Sequence, residues 1–356
     1  MSLAQPVGMR PLGRYLTDIG TLPPPSCAHE VETRVGVRLS LGYPVAHFDD
    51  EVLSTMDAEL VSRRHRLSQP SATLGVSGNR ESRITIQELV VNEQGGYRFL
   101  PGVPFLSFGV VAADGFEIVR TTFRQPRTFA AGMADIERLL QGSGRSLHAL
   151  CGLELRSARP LSRSELDELN QAYIGHLKAT GLLVGDDVPV TRTNVAFSAS
   201  ERPTNGMSGA PDVTIHAWSH SRPVARGVRA TAPTFVLAGI PEIRNLRAAG
   251  LGRERPDIVA LGDTTSDGFP TFAALRQKTE FILTALDQTM RTLGVDWADV
   301  TGVQLYTVHN AHPLLADLIL PRLGVAARLG VEWHHAGPPG VQVEIGVRGI
   351  RQEITA

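Results

Sequence analysis

Two stretches of the chain carry nearly the same succession of small, apolar and polar positions. Gly144, Leu147, Leu150, Gly152, Leu153 and Leu155 recur 150 residues later as Gly294, Trp297, Val300, Gly302, Val303 and Leu305. A fixed spacing over six such positions points to an internal repeat. A second echo, at a spacing of 130, links Phe105–Gly109 to Phe235–Gly239. Around these phrases the apolar spacing predicts alternating elements. Spacing of three and four predicts helices over Ala130–Leu140, Ser162–Lys178 and Thr271–Leu293, and near Pro313–Leu323. Ser162 with Glu165 three residues on is a capping-box pattern that sets the start of the second of these. The stripe Leu275, Thr279, Ile282, Leu286 and Met290 marks the buried side of the third. Period-two and short apolar runs predict strands at Val35–Tyr43, Ser82–Val91, Phe105–Val111, Ala149–Leu155, Arg192–Phe197 and Val213–Trp218. Later runs do so at Thr234–Gly239, Gly302–His309, Gly330–His335 and Val341–Arg348. Gly109 inside such a run predicts a bulge or a close backbone approach.

This order gives an α+β fold of two tandem units, each with helices packed on one face of a mixed sheet. The bare sheet faces then need a cover, and another copy of the unit, within the chain or between chains, is the obvious one. The chain divides into an N-terminal extension, 1–80, with a proline run at Leu22–Ser26 and a few strands, a first unit at 81–222, and a second at 223–356. At 356 residues there is room for two such cores.

Charge and composition narrow the function classes. A net charge of -1 with both signs interspersed leaves no field for nucleic acid or an anionic membrane surface. No run approaches the roughly 20 apolar residues of a bilayer span, and no signal peptide is recognisable. The expected protein is soluble and cytoplasmic, and takes a small ligand. The two cysteines, Cys27 and Cys151, lack metal or redox spacing and read as small hydrophobes. His47, Asp49 and Asp50 cluster, but adjacent strand residues point to opposite faces, so no metal site is expected there.

The order of a long helix, G-x-D/S-x-x-x-V, an apolar strand ending in a polar turn, a second helix and strands closing on V-E-I is similar to the Rid (RidA/YjgF) superfamily, whose fold is chorismate-mutase-like. Phe272–Gly349 carry the resemblance best, and Phe105–Trp218 repeat it more faintly. The long two-unit layout, with Tyr306-Thr-Val-His309 and Trp333-His334, looks most like the 2-aminomuconate deaminase-like members. The resemblance implies a homotrimer, no metal or organic cofactor, a small carboxylate substrate, and hydrolysis of an imine or enamine by an arginine that holds the carboxylate and a glutamate that handles water.

Carried onto this sequence, the arginine motif resembles Val190–Val195, giving Arg192, with Asn194 two positions on and sharing its face. The glutamate motif resembles Val343-Glu344-Ile345. The counterpart of Glu344, 130 residues earlier, is Thr214, and the second unit shows no matching arginine in Leu329–His335. The two units therefore look complementary, and Arg192 and Glu344 are expected to meet in one cleft where a first unit faces a second. A guanidinium forks onto a carboxylate with two parallel hydrogen bonds, and a carboxylate inside an apolar strand is costly unless used. Glu344, His334 and His309 are the catalytic candidates, and Arg192, Asn194, Arg348, Glu332 and Tyr306 the substrate-binding ones. Arg348 follows Glu344 by four on the same strand face.

Two other readings stand beside deamination. A chorismatase-like enzyme releasing pyruvate from chorismate also resembles two fused units, but the Arg-x-Trp-Asn-Tyr stretch of that group is replaced here by Cys151-Gly-Leu-Glu-Leu-Arg156. A non-catalytic small-ligand binding protein would explain why each unit has lost half of the motif.

Overall fold

The helical stripe Leu275, Ile282, Leu286 and Met290 is buried, and the whole segment Phe272–Leu293 is one α-helix, α3. Thr271 caps its start by accepting the Ala274 N–H, and Gly294 ends it at φ 77°, a left-handed conformation that glycine adopts without a Cβ clash. The computed structural model describes residues 88–196, 213–224, 232–243, 270–335 and 341–356, with two further strands at 29–32 and 38–42. The proline run, Cys27 and the His47–Asp50 cluster lie outside them.

The first half builds the smaller sheet. Strand β6 (Phe116–Thr128) leads into helix α1 (Phe129–Gly142), then β7 (Leu150–Ser157), α2 (Arg163–Ala179), β8 (Thr191–Ala196) and β9 (Val213–Pro223). The capping box at Ser162 and Glu165 is formed, so α2 starts where the spacing predicts. Among the described residues the strands lie in the order β15-β6-β9-β7-β8, where β15 is Glu353–Thr355. The strand β7 is parallel to β8 and antiparallel to β9.

The second half repeats these pairings in the larger sheet. It uses β10 (Phe235–Leu237), β11 (Ile240–Pro241), α3, β12 (Gly302–Tyr306), β13 (Val331–His334) and β14 (Glu344–Gly349). The order β10-β14-β12-β13 matches β6-β9-β7-β8, with β12 parallel to β13 and antiparallel to β14. In register, Arg156 faces Thr214 across β7 and β9 as Tyr306 faces Glu344 across β12 and β14, the same 150 and 130 spacings found in the sequence.

Neither sheet is made from one segment alone. The early strands β3 (Val90–Asn92), β4 (Tyr97–Leu100) and β5 (Gly109–Ala112) join the larger sheet beside β10, and β1 (His29–Glu32) and β2 (Arg38–Gly42) extend it beyond β13. The late strand β15 joins the smaller sheet, parallel to β6. Gly109 sits opposite Leu237 in β10, so the Phe105 and Phe235 phrases meet as neighbours rather than occupying matching places. A methyl group at Gly109 would strike Leu237 and Leu293, the close approach that the sequence predicts.

The helix expected near Pro313–Leu323 is broken. It runs as short α turns at His312–Leu314 and Leu320–Leu323, a π turn at Leu315–Ile319 and a 3-10 turn at Gly324–Leu329. Pro313 sits in the first turn, where a missing donor costs nothing, but Pro321 follows the π turn and removes a donor from the continuing ladder, which favours such irregular turns. Its apolar residues still pack with α3 over the larger sheet, in a core with Leu305, Trp333, Ile345 and Val347. The smaller sheet buries Leu153, Leu155 and Ile215 under α1 and α2, in a core that includes Tyr173 of α2. Each fully buried side chain of this kind contributes about 1.5–3 kcal/mol. The two helix-free faces meet, and β-strand alternation puts the remaining polar side chains between them.

Candidate active site

Val343, just before β14, and Ile345 and Val347 within it go to the core, so Glu344 and Arg348 turn to the layer between the sheets. In β12 and β13 the same alternation sends Gln304, Tyr306, Glu332 and His334 there, and in β6 and β7 it sends Arg120, Glu154 and Arg156. The layer is a chain of ion pairs. Arg120 grips Glu154 with two bonds, at 2.6 and 2.8 Å, and Arg156 adds a third contact at 3.4 Å. Arg348 joins Glu332 at 3.1 Å and Glu353 of β15 at 2.8 Å, and Gln304 donates to Glu332 at 3.0 Å. Burial opposes ionisation of Glu154, yet Arg120 and Arg156 outweigh it and hold the carboxyl well below its ordinary range. For Glu332, burial is likewise outweighed, by His334 and Arg348, and the carboxyl is brought down to about 2.

Glu344 behaves in the opposite sense. It is buried beside Tyr306, and burial pushes its carboxyl up to about 8, with Arg156 pulling down and Glu242 pushing further up. Its Oε1 accepts no hydrogen bond from the described residues. Any side chain at Gly239 would overlap this carboxyl, and the Gly239 N–H is turned to Thr193 Oγ1 of β8 at 3.3 Å. Tyr306 completes the group. Its hydroxyl accepts from Arg156 Nη2 at 3.4 Å, the guanidinium carbon lies 5.5 Å from its ring centre, and the His334 imidazole stacks on it at 4.8 Å. His334 Nε2 stands 3.7 Å from Glu332 Oε2. His216 of β9 also belongs here, held neutral by burial and by Arg156 down to about 4.

The expected meeting of Arg192 and Glu344 does not occur within the chain. Arg192 pairs in register with Leu153, a core residue, so its side chain points to the helices and not to the layer. There it donates to Asn170 Oδ1 of α2, 4.8 Å from the Tyr173 ring centre and 5.2 Å from that of Phe105. Burial lowers its pKa to about 10. Asn194 pairs with Leu155 and lies on that same helix side, two residues along as the sequence indicates. The structure thus brings together Glu344, Tyr306, His334, Glu332 and Arg348, and sets Arg192 and Asn194 apart. His309 lies past the end of β12, its N–H on Thr307 Oγ1 at 3.1 Å, and burial with nearby Lys278 and His335 lowers its imidazole pKa. Among the described residues no three metal-ligating side chains converge, and no helix is long and apolar enough to cross a membrane.

This set is a buried, proton-holding carboxyl beside a guanidinium and a phenol, which suits proton transfer to and from a small acid. The 2-aminomuconate deaminase CnbZ family model matches residues 89–354, which takes in β3 to β14. The chain belongs to that family. A deaminase relative, the 2-amino-5-chloromuconate deaminase of Comamonas testosteroni, is 33% identical over 268 residues, 75% of this chain and 98% of the relative. A solved chorismatase structure is similar over 68% of this chain and 76% of its own, at 13% identity and a TM-score of 0.35.

Within this deaminase family member, the cation on the Glu344 side is Arg156, which sequence reasoning passed over. An arginine closing a strand reads as a surface group. The signal was present in the repeat, because 150 residues separate Arg156 from Tyr306, already a candidate. Glu154 and Arg120 gave no such signal, since their worth depends on pairing between strands distant in sequence.

Proposed function

We propose that this protein hydrolyses the enamine or imine of an unsaturated dicarboxylic acid of the 2-aminomuconate kind, and that Glu344 carries the protons. The observation that supports this most is the Glu344 carboxyl itself, buried and with its pKa pushed up to about 8 by that burial, in the same inter-sheet layer as Tyr306 beside it and Arg156 of the facing sheet. Membership of the deaminase family supplies the reaction class.

In this reading protonated Glu344 first gives its proton to the enamine carbon, and the C–N bond becomes C=N. Water then adds to the C=N carbon and its proton goes to the Glu344 carboxylate. Collapse of the carbinolamine expels ammonia and leaves C=O, so one water enters, one ammonia leaves and no redox change occurs. A carboxyl with a pKa near the working pH is suited to both directions. Arg156 holds a substrate carboxylate, as a guanidinium reaching into the layer from the facing sheet, and Tyr306 fixes that guanidinium by its hydroxyl. His334, stacked on Tyr306, and the Glu332–Arg348 pair border the site. Arg192 has no part in this scheme.

Ammonia release from 2-aminomuconate and 2-amino-5-chloromuconate tests it. Glu344→Gln, which keeps size and loses the proton, is expected to lower kcat about 10²–10⁴-fold with circular dichroism unchanged. The wild-type rate should fall as pH rises through about 8, where Glu344 loses its proton. A Glu344→Gln enzyme of near wild-type rate would sink the scheme.

A further inference from the structure

A second buried carboxylate lies behind Glu344 and has no role in the scheme above. Glu242 directly follows β11 and is fully buried. One of its oxygens accepts from the Gln342 N–H at 2.7 Å and from Lys278 Nζ at 3.3 Å, and the other accepts from the Val343 N–H at 3.2 Å. Lys278 comes from the buried side of α3 and is 3% exposed. A pair of apolar residues of similar volume is often as stable as a buried ion pair, or more so, because two charges must leave water. A charge pair kept at this depth therefore needs another explanation than stability.

Its position supplies one. The two N–H groups that Glu242 holds are those immediately before Glu344, and β11 runs beside β14 with Pro241 opposite Glu344. We propose that Glu242, balanced by Lys278, is a positioning residue for Glu344: it clamps the backbone where β14 begins and sets the charge behind the Glu344 carboxyl.

The proposal rests on Glu344 as the proton carrier and adds what tunes it. Among the described residues, the charged and titratable groups around Glu344 include Arg156 from β7, Tyr306 from β12 and Glu242 from the β11 side, with Glu154 behind Arg156, His334 behind Tyr306, Lys278 of α3 beyond Glu242 and His309 beside Lys278. Arg156 favours the ionised carboxyl and Glu242 the protonated one, so the two act as opposed settings on one group. Removing either member of the ion pair then moves Glu344 in a known direction. Losing Glu242 releases the proton sooner, and losing Lys278 leaves Glu242 uncompensated and holds the proton longer.

The test is an infrared titration of the protonated Glu344 C=O stretch, assigned by its absence in Glu344→Gln. Glu242→Gln is expected to lower the midpoint by about one pH unit or more, and Lys278→Met to raise it by a similar amount. The alkaline limb of the kcat profile for ammonia release moves with it, in both directions. Where a single variant does not fold, Glu242→Gln with Lys278→Met leaves no unpaired charge, and its midpoint falls below that of the wild type. Midpoints that stay put, or that move the same way in both single variants, overturn the proposal and reduce the pair to a structural clamp. Opposed midpoints in a protein that releases no ammonia keep the tuning and discard deamination; ammonia release with fixed midpoints does the reverse.

Discussion

Arg120 and Arg192 are both buried arginines of the smaller sheet, at 6% and 5% exposure, yet the molecule treats them differently. Arg120 faces the layer between the sheets and has carboxylates at hand, Glu154 by two bonds and Glu353 at 3.5 Å. Arg192 faces the helices and meets an amide and two aromatic rings, and its Nε and Nη1 have no hydrogen-bond partner among the described residues. The pKa values follow the surroundings: carboxylates raise Arg120 despite burial, and burial alone drags Arg192 down. One position of strand alternation decides whether a guanidinium joins the charge network or is isolated from it.

Substitution at each site can break this contrast. Arg120→Met strips Glu154 of its main partner and is expected to cost about 3–5 kcal/mol, read by urea unfolding. Its effect also depends on pH. Glu154 has a folded pKa below its ordinary 4.5, so the pair stabilises the fold above that value and the contribution is lost as pH falls. The acid-unfolding midpoint of Arg120→Met should therefore lie at higher pH than that of the wild type.

Gly239→Ala comes next, because the new methyl group must displace the Glu344 carboxyl from the layer. Overpacking of this kind costs about 1–3 kcal/mol, and loss of ammonia release should exceed what that stability change explains. The smallest change is expected at Arg192→Met. Relief of an uncompensated buried charge offsets the lost bond to Asn170, and stability should stay within about 1 kcal/mol of the wild type. A loss there as large as at Arg120 would mean that Arg192 has an anionic partner outside the described residues.

The same alternation explains what could be read in advance. The helices were legible because their apolar spacing and caps are local: Ser162 with Glu165, and Thr271 before α3, act within one turn. Strand β6 was not, since the polar run Arg124–Thr128 hides its second half and Arg120 and Thr122 face ions rather than water. Strand β15 is exposed at every position and has no apolar signature. Glu344 was legible because a carboxylate amid valine and isoleucine is anomalous on its own strand. Glu242, in Gly-Ile-Pro-Glu-Ile, looks like an ordinary turn acid, and only the fold reveals that it holds the peptide groups of residues a hundred positions away. The choice between Arg156 and Arg192 depended on which side of a strand faces the other sheet, a tertiary fact that a motif does not contain.

The strand β15 has a mechanical consequence. It follows the final strand of one sheet and lies along the first strand of the other, with Glu353 tied to Arg348 on one side and Arg120 on the other. Like a seam sewn through two panels, it makes prising the halves apart and unravelling this stretch the same event. Heat or denaturant should therefore dismantle both sheets in one transition.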